Sequence, residues 1–214
     1  MRIGYDINSE FRIPNSEFDQ SFITQDCPII CGVDEAGRGP LAGPVTAAAV
    51  ILPPGLVIEG LDDSKKLSPK RREQLYAVIT SEAVSWAVAH ATVEEIEELN
   101  ILNAAQLAMR RAVSRLSPVP DLALVDGNIA RDFPIKAIPV VGGDRKSAGI
   151  AAASILAKVT RDALMCQLAE TYAHYAFERH KGYPTALHYE RLRTHGPCPV
   201  HRMSFLRGLS AVKS

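Results

Sequence analysis

The chain has 214 residues, 47% of them hydrophobic, with 24 Lys and Arg balanced by 24 Asp and Glu. The length suits one compact domain and the apolar content suits a buried core, which excludes wholesale disorder. Four cysteines are too few for a disulfide scaffold, and no apolar run nears the ~20 residues of a membrane span. Asp6, Glu10, Glu17 and Asp19 stand where a secretion signal would be apolar, so a cytoplasmic protein without membrane contact is expected; separately, the chain is expected to be a monomer. Zero net charge counts, at first sight, against a nucleic-acid partner, because such domains are often basic. The distribution says more than the sum. Residues 1–33 carry five acids and two bases, whereas residues 174–214 carry seven bases, two acids and five of the six histidines.

Residues 1–26 are polar and without period, and read as an extension or a strap. From Pro28 the pattern alternates. Apolar runs at 29–33 and 45–52 read as buried strands, the second stopped by Pro53-Pro54-Gly55. Ser68 before Pro69 is a helix N-cap with proline in the first turn, and the helix runs to about Thr80. Residues 84–91 form a third strand around Trp86. Thr92 and Glu95 have capping-box spacing, opening a helical turn at 94–99 and a longer helix at 101–116. A fourth strand spans 122–125. A fifth spans 135–141, where Pro139 requires an edge or a bulge. A long Ala/Ile/Leu-rich helix covers 147–173, followed by weaker helices. Strands alternating with helices, the first strands joined without long crossovers, predict an α/β fold with a five-stranded mixed sheet, flanking helices and a helical C-terminal segment. The expected domains are an extension over 1–26 and one catalytic unit over 27–214.

Three apolar runs are followed by acids, where α/β sheets place their sites. Asp34-Glu35 ends the first run, Asp126 the fourth, and Asp144 follows the fifth. Each alone has an ordinary reading: a turn with solvated acids, or, for Asp144, the N-cap of the long helix. Together, if the first and fourth strands are parallel neighbours, they make a four-carboxylate cage suited to Mg²⁺ or Mn²⁺, cations that prefer oxygen ligands. Gly37-Arg38-Gly39 lets the backbone approach a ligand and offers a guanidinium. Ser64 and Lys65 are suited to phosphate contacts. Tyr183, between Gly182 and Pro184 and close to His180 and Lys181, can pack on a sugar or base, or can be a half-buried aromatic ahead of a helix. No histidine is assigned to catalysis.

The stretches 32–41 (GVDEAGRGPL), 63–68 (DSKKLS), 98–103 (ELNILN), 125–128 (VDGN), 143–144 (GD), 150–162 (IAAASILAKVTRD) and 180–185 (HKGYPT) closely resemble the ribonuclease HII family, the bacterial type-2 ribonucleases H. They occur in family order over about residues 28–208. The resemblance implies an RNase H-like fold and Mg²⁺- or Mn²⁺-dependent endonuclease activity. The RNA strand of RNA/DNA hybrids would be cut, and single ribonucleotides in duplex DNA incised on their 5′ side, leaving 3′-OH and 5′-phosphate ends. It implies Asp34, Glu35, Asp126 and Asp144 as catalytic metal ligands in a two-ion hydrolysis. It implies Gly37, Arg38, Gly39 and Tyr183 as readers of the ribose 2′-OH, the group that separates RNA from DNA. Asp162 falls in a shared stretch but about 27 Å along the helix from Asp144, and reads as structural. Gly142 departs from the lysine usual before Gly-Asp, and Gly149 from a more usual polar residue. No clear clamp-protein motif follows Leu209. Acidic strand ends alone would also suit a DNA nuclease on the same fold, and a catalytically silent hybrid-binding protein is the rival from another class.

Overall fold

The computed structural model describes residues 16–61, 64 and 67–207. Strands β1 (Ile30–Ala36), β2 (Val45–Ile51), β3 (Ser85–Ala91), β4 (Leu122–Asp126) and β5 (Lys136–Val140) form one sheet in the order β3-β2-β1-β4-β5. β1–β2 and β2–β3 are antiparallel, while β1–β4 and β4–β5 are parallel. The sheet is therefore five-stranded and mixed, as expected. Pro139 is on β5, an edge strand, where its missing N–H costs no ladder bond.

Side chains alternate across the sheet. Cys31 and Val33 of β1, Ala47 and Ala49 of β2, and Ala123 and Val125 of β4 pack with helix α3 (Val93–Val113). Ala48 and Val50, on the other face, pack with α2 (Pro69–Glu82) and α4 (Ala148–Thr171). The alanines keep both helix layers close. The closest approach is at Gly32, where a β-carbon would overlap the Gly149 carbonyl carbon and the Ile150 nitrogen. Gly32 is thus the residue that lets α4 lie on β1, and a β-carbon at Gly149 would sit 3.1–3.2 Å from the Gly32 backbone.

The helix caps form largely as read. Ser68 accepts from the Arg71 amide, and Thr92 and Glu95 complete the capping box. Two details differ. The turn at 94–99 and the helix after it are one kinked element. Asn100, at φ 66°, turns the chain and accepts from the amides of Leu102 and Asn103, recapping the second part. The N-cap of α4 is Ser147, which accepts from Ile150, and not Asp144. Asp144 lies three residues earlier, in a 3₁₀ turn.

Part of the polar N-terminal stretch is docked. In α1 (Ser16–Gln20), Asp19 accepts from the Gly149 amide at 2.9 Å, and Phe18 and Phe22 pack against Leu122, Leu124, Val140 and Ile150. From residue 16 onward the segment straps the sheet. Residues 1–15 of the expected extension lie outside the described residues. At the other end, α5 (Phe177–His180) and α6 (Ala186–His195) build a satellite core with Leu41, Ala42, Met165, Tyr175 and Leu206.

Gly32→Ala should cost about 2–3 kcal/mol, because the overlapped atoms are backbone and cannot yield cheaply. Thermal melting should show this as a drop of roughly 4–12 °C; an unchanged melting temperature would contradict the packing described.

Candidate active site

The register Val33↔Val125 sets Asp34 and Asp126 on adjacent parallel strands, each one residue further on. Alternation turns both toward the α4 face, away from Val33 and Val125. Asp34 is buried and Asp126 half-buried. The Asp126 Oδ1 accepts from the Gly143 amide at 2.7 Å, which ties the end of β4 to the turn carrying buried Asp144. Asp144 Oδ1 lies 3.9 Å from the Arg145 Nε. Gly142, ahead of this turn, is left-handed at φ 63°. Glu35 pairs with Arg38 at 3.3 Å.

Burial, then the charges of Glu35 and Asp126, push the Asp34 carboxyl well above its ordinary value. A hydrogen bond with Ser154 and one from the Glu35 amide offset part of that. Burial raises Glu35 as well, opposed by Arg38. Anionic groups pressed together out of water are costly unless a cation joins them. Among the described residues no three His, Cys, Asp or Glu side chains close into a metal cage, so the cage expected from the sequence is not pre-formed. Glu35 is turned to Arg38 and Asp126 to an amide instead. The donor set still fits Mg²⁺ or Mn²⁺: it is all hard oxygen, anionic, and electrostatically frustrated as it stands.

Ser64, expected to contact a phosphate, is buried, and its hydroxyl shares a 2.9 Å hydrogen bond with Ser154, which in turn bonds Asp34. Lys65 lies outside the described residues. Asp162 forms an ion pair with Lys158 at 2.8 Å, in keeping with a structural role.

Gly37, Arg38 and Gly39 leave β1 as a loop that two buried arginines hold from beneath. Arg202 donates to the carbonyls of Gly37, Arg38, Pro40 and Gly43 at 2.7–3.0 Å. Arg161, on α4, donates to Pro44, Ala42 and Lys181. Gly37, at φ 99°, has the Arg161 side chain where its β-carbon would be. Tyr183 is brought to the same region by the bond from the Leu41 amide to the Gly182 carbonyl, at 2.8 Å. Its ring is more than a third exposed, with Lys158 Nζ 5.4 Å from its centroid. It borders a groove whose walls include Arg72, Lys158, Arg179 and Lys181, together with Glu73, Asp162 and Glu178.

Three histidines lie under that tyrosine, buried rather than at the surface. Tyr183 O can only accept, so His188 Nδ1 donates to it at 3.0 Å. His188 Nε2 then accepts from His201 Nε2, and His201 Nδ1 accepts from the Cys198 amide. His180 Nδ1 accepts from Gly182. Burial pulls His188 and His201 down to about 4, so the network is neutral at neutral pH and supports the loop.

Sequence reading missed Arg161, Arg202, Ser154 and the histidine network. A lone arginine in the apolar helix and one after His201 were the available signals, but their carbonyl partners in the loop after β1 lie more than a hundred residues away in the chain.

A mixed sheet with carboxylates at the ends of its central strands defines the RNase H-like class of fold. Solved structures agree. The ribonuclease H2 of Pyrococcus horikoshii OT3 matches with a TM-score of 0.67 at 27% identity, over 82% of this chain and 93% of that one. The ribonuclease HII of a PCNA complex from Archaeoglobus fulgidus matches at 0.69 and 25%, over 86% and 97%. Residues 31–208 match the Ribonuclease HII family, and a Ribonuclease HII of Dechloromonas aromatica is 59% identical over 83% of this chain and 90% of its own length. The chain belongs to the ribonuclease HII family, and is a ribonuclease H-type endonuclease acting on the RNA of RNA/DNA hybrids. Among the described residues no helix is long and apolar enough to cross a membrane.

Asp34→Asn should stabilise the protein at neutral pH without divalent ions. Below the ordinary value of 3.8 the carboxyl is neutral folded or unfolded. Above it the unfolded chain releases the proton while the fold retains it, so stability falls as pH rises until the folded value is passed. The variant lacks that loss, and its advantage should shrink toward acid pH. Mn²⁺ should raise the wild-type melting temperature and raise that of the variant less. A variant that melts no higher at pH 7 would contradict the charge crowding.

Proposed function

We propose that the enzyme hydrolyses the RNA strand of hybrids and incises duplex DNA on the 5′ side of single ribonucleotides, leaving 3′-OH and 5′-phosphate ends. The observation that carries the reading is the parallel β1–β4 pairing, which sets Asp34 beside Asp126 with Asp144 tied in through Gly143. Asp34, Asp126 and Asp144 would hold one divalent cation, and Asp34 and Glu35 a second. Bound cations would supply an activated water and charge neutralisation at the leaving oxygen. The chain itself orients the carboxylates. Ser154, backed by Ser64, fixes Asp34, and the Gly143 amide fixes Asp126. The exposed Arg38 and Gly39 and the Tyr183 phenol face the substrate and select a 2′-OH. The groove cations beside Tyr183 are suited to the flanking phosphates.

We further take the protein to work in the cytoplasm as one catalytic domain from residue 27, with the segment from residue 16 docked on it as a strap. The Archaeoglobus relative was solved with PCNA, so a clamp protein is the partner class to test, although residues 208–214 lie outside the described residues.

A labelled duplex with one ribonucleotide should be cut with Mg²⁺ or Mn²⁺ and left intact with EDTA. A DNA-only duplex should survive throughout. Asp126→Asn should abolish cutting while keeping the fold, and Tyr183→Phe should slow it by about tenfold or more through a lost hydrogen bond. Full activity of Asp126→Asn with Mg²⁺ would remove it from the metal site, and cutting of all-DNA would overturn the ribose reading.

A further inference from the structure

The two parts of the ribose-reading surface come from distant segments, the loop after β1 and the turn before α6. Arg161 touches both. It is wholly buried on α4, and its Nε, Nη2 and Nη1 donate to Pro44, Ala42 and Lys181 at 3.1, 3.1 and 3.0 Å. Its side chain fills the space that the missing Gly37 β-carbon leaves, and its guanidinium carbon lies 5.8 Å from the Tyr183 ring centroid. Its hydrogen-bond acceptors are carbonyl oxygens and no salt bridge to it is found among the described residues, while the Tyr183 phenol and Asp162 favour its charged form at longer range. A buried guanidinium held mainly by carbonyls is a costly way to join two loops, since apolar packing would hold them at less expense. What a guanidinium adds is a rigid planar fork that fixes direction as well as contact. The Leu41–Gly182 backbone bond also joins the segments, and Arg202 with the His201–His188 pair links them less directly.

We propose that Arg161 is a positioning residue that sets the distance and angle between the Gly37–Gly39 loop and the Tyr183 ring, and through them the preference for a lone ribonucleotide. The proposal rests on the ribose-reading role given above to those two elements. A single embedded ribonucleotide offers one 2′-OH in one register, so misplacement of either element is not recoverable. A continuous RNA strand offers a 2′-OH at every step, and a shifted site still finds one.

Arg161→Lys and Arg161→Gln test this, with folding verified by circular dichroism and melting. Lysine keeps the charge without the fork, and glutamine keeps two donors without the charge. On a duplex with one ribonucleotide both should lose about 30- to 100-fold in kcat with KM little changed, the scale of a misplacement near 1 Å. On a continuous hybrid the loss should be several-fold smaller. Adding Tyr183→Phe to Arg161→Lys should then cost much less than it does in the wild type, because the two act through one geometry. Equal losses on both substrates with additive double variants would overturn the proposal. So would variants that do not fold, which would make Arg161 a residue of the fold alone. If instead the wild type fails to cut the single-ribonucleotide duplex, or Tyr183→Phe changes nothing, it is the ribose reading that fails.

Discussion

The structure turns on the parallel pairing of β1 with β4. It is the interaction that sets Asp34 and Asp126 side by side, and it does so at a cost, because like charges half out of water repel. The rest of the core is arranged to carry that cost. Small residues let α3 and α4 close on both faces of the sheet, down to the Gly32–Gly149 contact. The same helix α4 brings Ser154 to Asp34 and Arg161 to the loop after β1, so one element serves both the carboxylates and the surface formed by that loop and Tyr183.

The C-terminal part contributes in a different way. It holds loops by buried donors rather than by apolar packing alone. Arg202 gathers four carbonyls of the loop that carries Arg38, and the neutral histidines fix the Tyr183 carbonyl from below. Backbone groups that helices and strands leave unpaired are satisfied here by side chains, which gives irregular segments the rigidity a recognition surface needs. The basic character of residues 174–214 is therefore only partly a surface property, since Arg202 points inward while Arg179 and Lys181 line the groove.

Local chemistry was legible in the chain. The caps at Ser68 and Thr92 form as read because each needs only three or four consecutive residues. Pro139 marks an edge strand for the same local reason. The acids were legible as strand ends, although β1 runs on through Asp34 and Glu35 to Ala36. The illegible parts depend on distant partners. Nothing near Ser64 shows that its hydroxyl faces Ser154, and nothing near His188 shows that it is buried against His201. Asp144 read as the cap of the long helix, but it lies in a 3₁₀ turn of its own, and the cap falls to Ser147 three residues on. Asn100 turned one expected break into a kink by capping the helix that follows it. The balanced net charge was the least informative number, because acids clustered at the strand ends and bases near a groove cancel in a sum while lying in different places.

The most direct test of the central claim is to map the cut. A duplex with one ribonucleotide, labelled at each end in turn, is digested with Mg²⁺, and the products are resolved at single-nucleotide length and offered to a DNA polymerase. The predicted result is one incision on the 5′ side of the ribonucleotide, with an upstream 3′-OH that the polymerase extends and a downstream 5′-phosphate. A 3′-side cut that leaves a 3′-OH would contradict the 5′ incision, and a cyclic 2′,3′-phosphate or 3′-phosphate end on the ribonucleotide, which blocks extension, would mean that the 2′-OH attacks rather than water and would contradict hydrolysis at the Asp34–Asp126 site.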